Sequence, residues 1–173
     1  MTNAKKITLK IIIIGEPAVG KTSLVKKFIT GKFSKDYRSS IGTNIYTKKV
    51  VLEDNKIVTL QLWDIAGQER WINMRHSYYS GAKGVIIVGD LNRKNTFDQI
   101  EKFWVQDINN YCSHVPIILL ANKKDLLNKI EEQEIISLGK RIKTDLILFT
   151  SAKTGDNVEL AFLKLSKQAI LQD

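Results

Sequence analysis

Cysteine is almost absent from this 173-residue sequence. The single Cys112 excludes a disulfide within the chain and suits a reducing compartment. Its neighbours are apolar and helix-like, so its expected role is that of a small buried hydrophobe. No run approaches the roughly 18 apolar residues that would span a membrane. The polar start, Met1 to Lys6, lacks the pattern of a secretory signal. Internal repeats and low-complexity segments are also missing. The net charge is +9, yet there is no basic block: the lysines come in scattered pairs such as Lys5-Lys6, Lys26-Lys27 and Lys48-Lys49. No basic stretch is interleaved with aromatics to make a base-stacking platform. Nucleic acid is therefore not the expected partner, while peripheral contact with an anionic membrane stays open. What remains is ordinary globular composition, 43% hydrophobic and 26% charged. The length suits one domain, residues 1–173, expected as a cytoplasmic monomer.

The hydrophobic pattern alternates between two periods. Ile7 to Ile14 is apolar and β-branched and stops at Gly15, which reads as a buried strand. Lys21 to Thr30 has helical spacing (Leu24, Val25, Phe28) and closes on Gly31. Asn44 to Leu52 and Ile57 to Trp63 flank a polar tetrapeptide and read as an antiparallel hairpin. Further strands are expected at Val85–Val88, Pro116–Ala121 and Leu146–Phe149, with helices at Thr96–Cys112, Glu131–Lys143 and Val158–Leu171. Such alternation predicts an α/β fold with a mostly parallel sheet and helices on both faces. Ligands in such folds bind beyond the carboxyl ends of the strands, and the motifs fall there.

Gly15-Glu16-Pro17-Ala18-Val19-Gly20-Lys21-Thr22 matches G-x-x-x-x-G-K-[ST], the P-loop. Its glycines let the backbone curl until successive N–H groups face phosphate oxygens, and the next helix adds the positive end of its dipole. Lys21 brings a point charge to the β- and γ-phosphates, and the Thr22 hydroxyl is a Mg²⁺ ligand. Four fixed positions match by chance in about one chain in a hundred of this length, and here the match also lies between a strand and a helix.

Asn122-Lys123-Lys124-Asp125 follows another strand and selects the base. The Asp125 carboxylate can accept from both guanine N1–H and the exocyclic amine, a donor pair that adenine lacks. Lys123 can lay its stem on the base, and Asn122 can tie neighbouring loops. Behind the next strand, Ser151-Ala152-Lys153 offers the Ala152 N–H to guanine O6. Trp63-Asp64-Ile65-Ala66-Gly67-Gln68-Glu69 supplies the rest. Asp64 reaches Mg²⁺ through water, the Gly67 N–H meets the γ-phosphate while it is present, and Gln68 orients the attacking water. Each piece alone is a weak signal. Their order, each behind its own strand, is specific.

On these motifs the chain resembles the small GTPases of the Ras superfamily, and among them the Rab branch, from about Leu9 to the end. Trp63 to Arg70, apart from Ile65, and Tyr78-Tyr79-Ser80-Gly81-Ala82 are particularly Rab-like. The resemblance implies a P-loop NTPase fold: α/β, three layers, a six-stranded mostly parallel sheet with one antiparallel edge strand, and five helices. It implies phosphate contacts along Ala18, Val19, Gly20, Lys21, Thr22 and Ser23, a base-stacking aromatic at Phe33, and a switch I hydroxyl at Ser40. Base contacts fall on Asn122, Lys123, Asp125, Ser151, Ala152 and Lys153. Thr22, Ser40 and Asp64 are the Mg²⁺ positions, and Lys21 and Gln68 the catalytic ones. GTP and GDP, effectors, an exchange factor and a GTPase activator are the implied partners.

The sequence departs from that family at several points. Ser40 replaces the usual Thr, which keeps the hydroxyl and loses a methyl. Pro17 puts a residue without N–H into the P-loop. Ile45 replaces a Phe, so the aromatic contact with Trp63 and Tyr78 that Rab effectors read is lost. No C-terminal cysteine is present for prenylation. Arg38, two residues before Ser40, is either a solvent-facing side chain or a cation that reaches the phosphates in cis. The expected activity is slow hydrolysis of GTP in a molecular switch. The alternative is a nucleotide-locked scaffold that barely hydrolyses it.

Overall fold

Four consecutive isoleucines end β1 (Ile7–Ile14), and this strand organises the molecule. β-Branched side chains are stiff at χ1 and fit a pleated surface buried on both sides. The computed structural model describes residues 7–34, 42–53, 55–67, 74–112 and 114–172. In chain order β1 is followed by α1 (Lys21–Thr30), β2 (Thr43–Val51), β3 (Ile57–Ile65), α2 (Arg75–Tyr79) and β4 (Gly84–Asp90). Next comes α3, which runs from Lys94–Gln99 through a π-helical turn, Ile100–Trp104, to Val105–Tyr111. β5 (Ile117–Asn122), α4 (Glu132–Arg141), β6 (Ile147–Phe149) and α5 (Val158–Leu171) complete it. The described residues thus form six strands and five helices, as the resemblance implies.

The sheet order is β2-β3-β1-β4-β5-β6. Only β2 with β3 is antiparallel; β1 pairs in parallel with β3 on one side and β4 on the other. The carboxyl end of β1 is therefore a topological switch point, where a crevice opens between diverging connections.

Alternation along β1 sends its residues into two cores. Leu9, Ile11 and Ile13 pack with Leu24, Val25 and Phe28 of α1 and Val158, Ala161, Phe162 and Leu165 of α5. Ile12 and Ile14 face the other way, towards Tyr79, Phe97, Ile100, Trp104 and Leu138. The result is three layers. Phe28 and Phe162 stack with ring centroids 4.1 Å apart and planes 6° from parallel, locking α1 to α5.

Small differences from the sequence reading have local causes. β3 extends to Ile65 because Asp64 still pairs with Ile13 on one side and Asn44 on the other. α2, five residues long, is too short to show a helical period. The π-helical turn has no sequence signature; it lies where α3 passes the P-loop.

Candidate nucleotide-binding site

The loop after β1 is drawn tight. Gly20 has a φ of +102°, and a Cβ there would stand 2.3 Å from the Asn122 amide nitrogen. Gly67, just beyond β3, is equally constrained: a Cβ would come within 2.5 Å of Gly15 O and 2.7 Å of Pro17 N. The backbone after Asp64 thus lies directly against the P-loop. Lys21 is buried, and its ammonium donates to Gly15 O at 2.7 Å and Glu16 O at 2.8 Å. Burial pushes its pKa down to about 8; the carboxylates of Asp64 and Glu16 oppose that shift and the Arg93 charge adds to it.

Beside it, the Thr22 hydroxyl donates to Asp64 Oδ2 at 2.5 Å. Asp64 has no exposed surface, and its Oδ1 has no hydrogen-bond partner among the described residues. Burial raises its pKa, against the Thr22 hydrogen bond and the charges of Lys21 and Lys26. A hydroxyl beside an unsatisfied carboxylate oxygen is a hard-oxygen donor set. It fits Mg²⁺, which takes one or two carboxylates and keeps water and phosphate for the remaining positions.

On the base side, Asn122 is almost wholly buried. Its Nδ2 donates to Val19 O at 2.9 Å, and its Oδ1 accepts from Thr150 Oγ1 at 3.2 Å and Ala152 N–H at 3.3 Å. One side chain therefore ties the P-loop to the loop after β6. The Ala152 amide, expected at guanine O6, is turned to Asn122 in this structure. Lys123 Nζ bridges Ala18 O at 2.9 Å and Asp90 Oδ2 at 2.8 Å, laying its stem across the crevice. Asp125 Oδ1 accepts from Ser151 Oγ at 2.6 Å, and Lys153 Nζ stands 4.0 Å from its other oxygen. Ser23 lies in the first turn of α1. Phe33 is half-buried at the margin of the first core. The expectations for Ser40, Gln68 and Arg38 concern positions outside the described residues.

Sequence reading missed the contacts that hold Lys123 and the P-loop from behind. Asp90 ends β4 and gathers Lys123, the Asn92 N–H and Arg93 Nε, the last two at 2.9 Å. Burial raises the Asp90 pKa, but these donors outweigh it and leave the pKa below the ordinary value. Arg93 also donates to Pro17 O at 2.8 Å, and Trp104 Nε1 to Glu16 Oε1 at 3.0 Å. The available signal was an acidic residue closing an apolar strand at the ligand edge. Away from the crevice, Trp63 is half-buried against the second core with Lys10 Nζ 3.8 Å over its ring. Ile45 lies opposite Trp63 and is 54% exposed. Cys112 is half-buried, and burial pushes its thiol up to about 11, so it stays protonated.

Comparison with known proteins agrees with this geometry. The family model for the Ras family matches residues 10–171. The chain is 37% identical over 175 residues to Ras-related protein Rab7 of Drosophila melanogaster, covering 98% of this chain and 84% of that protein. It is 39% identical over 181 residues to the Ypt/Rab-type GTPase ypt7 of Schizosaccharomyces pombe, covering 98% and 86%. Ras-related protein Rab-32B of Dictyostelium discoideum is 39% identical over 175 residues, covering 98% and 67%. With the P-loop at the switch point and this likeness along nearly its whole length, the chain belongs to the Ras family of small GTPases and is Rab-like within it.

Proposed function

We propose that this protein is a guanine-nucleotide switch: it holds GTP or GDP with Mg²⁺ in the crevice at the end of β1, and hydrolyses GTP slowly. The observation that carries this reading is the Asn122 side chain, bonded at once to Val19 O and Ala152 N–H. A phosphate loop and two base-side loops are thereby held in one frame.

In this reading the amides of Ala18 to Ser23 and the Lys21 ammonium bind the phosphates. Lys21 exchanges its bonds to Gly15 O and Glu16 O for phosphate oxygens. Asp125 reads the guanine edge, and Ser151, Ala152 and Lys153 flank it. Phe33 covers the base. Thr22, Ser40 and, through water, Asp64 hold the metal ion, which neutralises charge on the β- and γ-phosphate oxygens when bound. The Gly67 amide senses the γ-phosphate and Gln68 aligns the attacking water. Catalysis then consists of positioning and charge stabilisation, with turnover slow until an activating partner adds a cation. Rab-like membership supports the wider role: an effector-recruiting switch in vesicle trafficking or membrane-associated signalling, cycled by exchange factors and activators. Effector choice differs from aromatic-reading partners, because Ile45 and the Lys10-capped Trp63 present an aliphatic and cationic surface.

The test is nucleotide specificity by equilibrium binding. Wild type is expected to bind GDP and to reject ADP. Asp125→Asn exchanges a double acceptor for a donor–acceptor pair, so affinity should move from guanine to xanthine nucleotides. Equal binding of GDP and ADP by wild type would defeat the assignment.

A further inference from the structure

The carbonyls of the P-loop are held from behind by side chains of other elements. In a planar trans peptide the C=O and the following N–H point in opposite directions, and none of the described peptide bonds is cis. Lys123 on Ala18 O therefore aims the Val19 N–H away from Lys123, and Asn122 on Val19 O does the same for the Gly20 N–H. Arg93 on Pro17 O does it for Ala18. The preceding peptide has no N–H to aim, since Pro17 carries none. Beside that weak point of the loop, the Glu16 side chain is held by the indole of Trp104, which donates to its Oε1. Arg93 and Trp104 belong to one stretch, the residue capping the start of α3 and the end of its π-helical turn. Such turns interrupt helices often at functional sites. Trp104 is only 2% exposed, so its indole N–H needs its acceptor.

We propose that the stretch from Arg93, at the start of α3, to Trp104, at the end of its π-helical turn, is a second support for the phosphate loop, with Arg93 and Trp104 as positioning residues whose hold on Pro17 and Glu16 slows nucleotide release. This rests on the crevice being the guanine-nucleotide site. It makes α3 a place from which a partner can loosen the nucleotide without entering the crevice. Pulling α3 outward removes the Arg93 and Trp104 bonds together and leaves those of Lys123 and Asn122 in place.

The experiment is the dissociation rate of a fluorescent GDP from the full chain in Mg²⁺. Trp104→Phe keeps an aromatic ring but removes the N–H together with part of the buried indole, whereas Glu16→Ala removes only the acceptor. Each is expected to speed release about fivefold to tenfold, and the double variant no more than the larger single effect. Arg93→Ala should act similarly, with Arg93→Lys recovering part of the effect, since one ammonium can serve Pro17 O or Asp90 but lacks the guanidinium fork. Lys94→Ala, which breaks the exposed pair with Glu134 next door, is the control and should release at the wild-type rate. Wild-type release from both Trp104→Phe and Arg93→Ala, or multiplicative effects of Glu16→Ala and Trp104→Phe, overturns the proposal. If Trp104→Phe does not fold, Arg93→Ala and its lysine rescue decide alone. Failure of wild type to bind GDP at all refutes instead the nucleotide-site reading on which the proposal rests.

Discussion

Asn122→Ala should do more damage than its single amide suggests. The side chain makes three hydrogen bonds in a buried place: to Val19 O at 2.9 Å, from Thr150 Oγ1 at 3.2 Å and from Ala152 N–H at 3.3 Å. A net bond contributes about 1 kcal/mol, and a buried group left without a partner costs about 1–3 kcal/mol. Discounting the two longer bonds, the loss comes to about 3 kcal/mol. For a domain of this size that lowers Tm by about 6–12 °C. Val19 O then no longer orients the Gly20 amide, so GDP release should quicken by about tenfold, or about 1.4 kcal/mol. The assay is thermal unfolding of the GDP-loaded protein, followed by GDP dissociation. Lys124→Ala provides the contrast: its ion pair with Asp156 has both partners about half exposed, and it should move Tm hardly at all. If Asn122→Ala shifts Tm no more than Lys124→Ala and releases GDP at the wild-type rate, the three-loop tie is not what holds the site together.

Lys21 predicts a pH signature. Its pKa in the folded, ligand-free protein is lowered to about 8 from 10.5. Below the folded value, burial of the ammonium costs stability in full, and the cost is relieved as pH rises from about 8 towards the unfolded value. Phosphate beside it favours the charged form, so GDP binding at pH 8 should take up about half a proton. Calorimetry in buffers of different ionisation enthalpy reads this uptake, and an enthalpy independent of the buffer would exclude it. Phe162→Ala removes one half of the Phe28 stack and should cost about 3–5 kcal/mol. Chemical denaturation measures that cost, and a loss under about 1 kcal/mol would show that α1 and α5 are held otherwise.

Much of this molecule was legible as pattern. The isoleucine run of β1, the hairpin and the later strands declare themselves because buried strands need continuous apolar residues. The P-loop and Asn122 declare themselves because they follow such strands. What escaped reading depends on tertiary contact. Arg93 looks like any loop arginine until Pro17 O is found 2.8 Å away. Trp104 reads as a core aromatic, which it is; that its indole serves Glu16 follows from a π-helical turn no local sequence encodes. Likewise, nothing in Ser151-Ala152-Lys153 tells that the Ala152 amide turns to Asn122 in this structure. Ser40 and Gln68 rest on the motif alone, since neither lies among the described residues.

The central claim is hydrolysis of GTP in this crevice, and single-turnover phosphate release tests it most directly. Purified protein is loaded with GTP and Mg²⁺ beside a Gln68→Leu variant, with ATP as the specificity control. The account predicts slow release from GTP, none from ATP, and loss of release in the variant. GTP that stays bound and intact in both proteins, with or without an activating partner, would contradict it and leave a nucleotide-locked scaffold in its place.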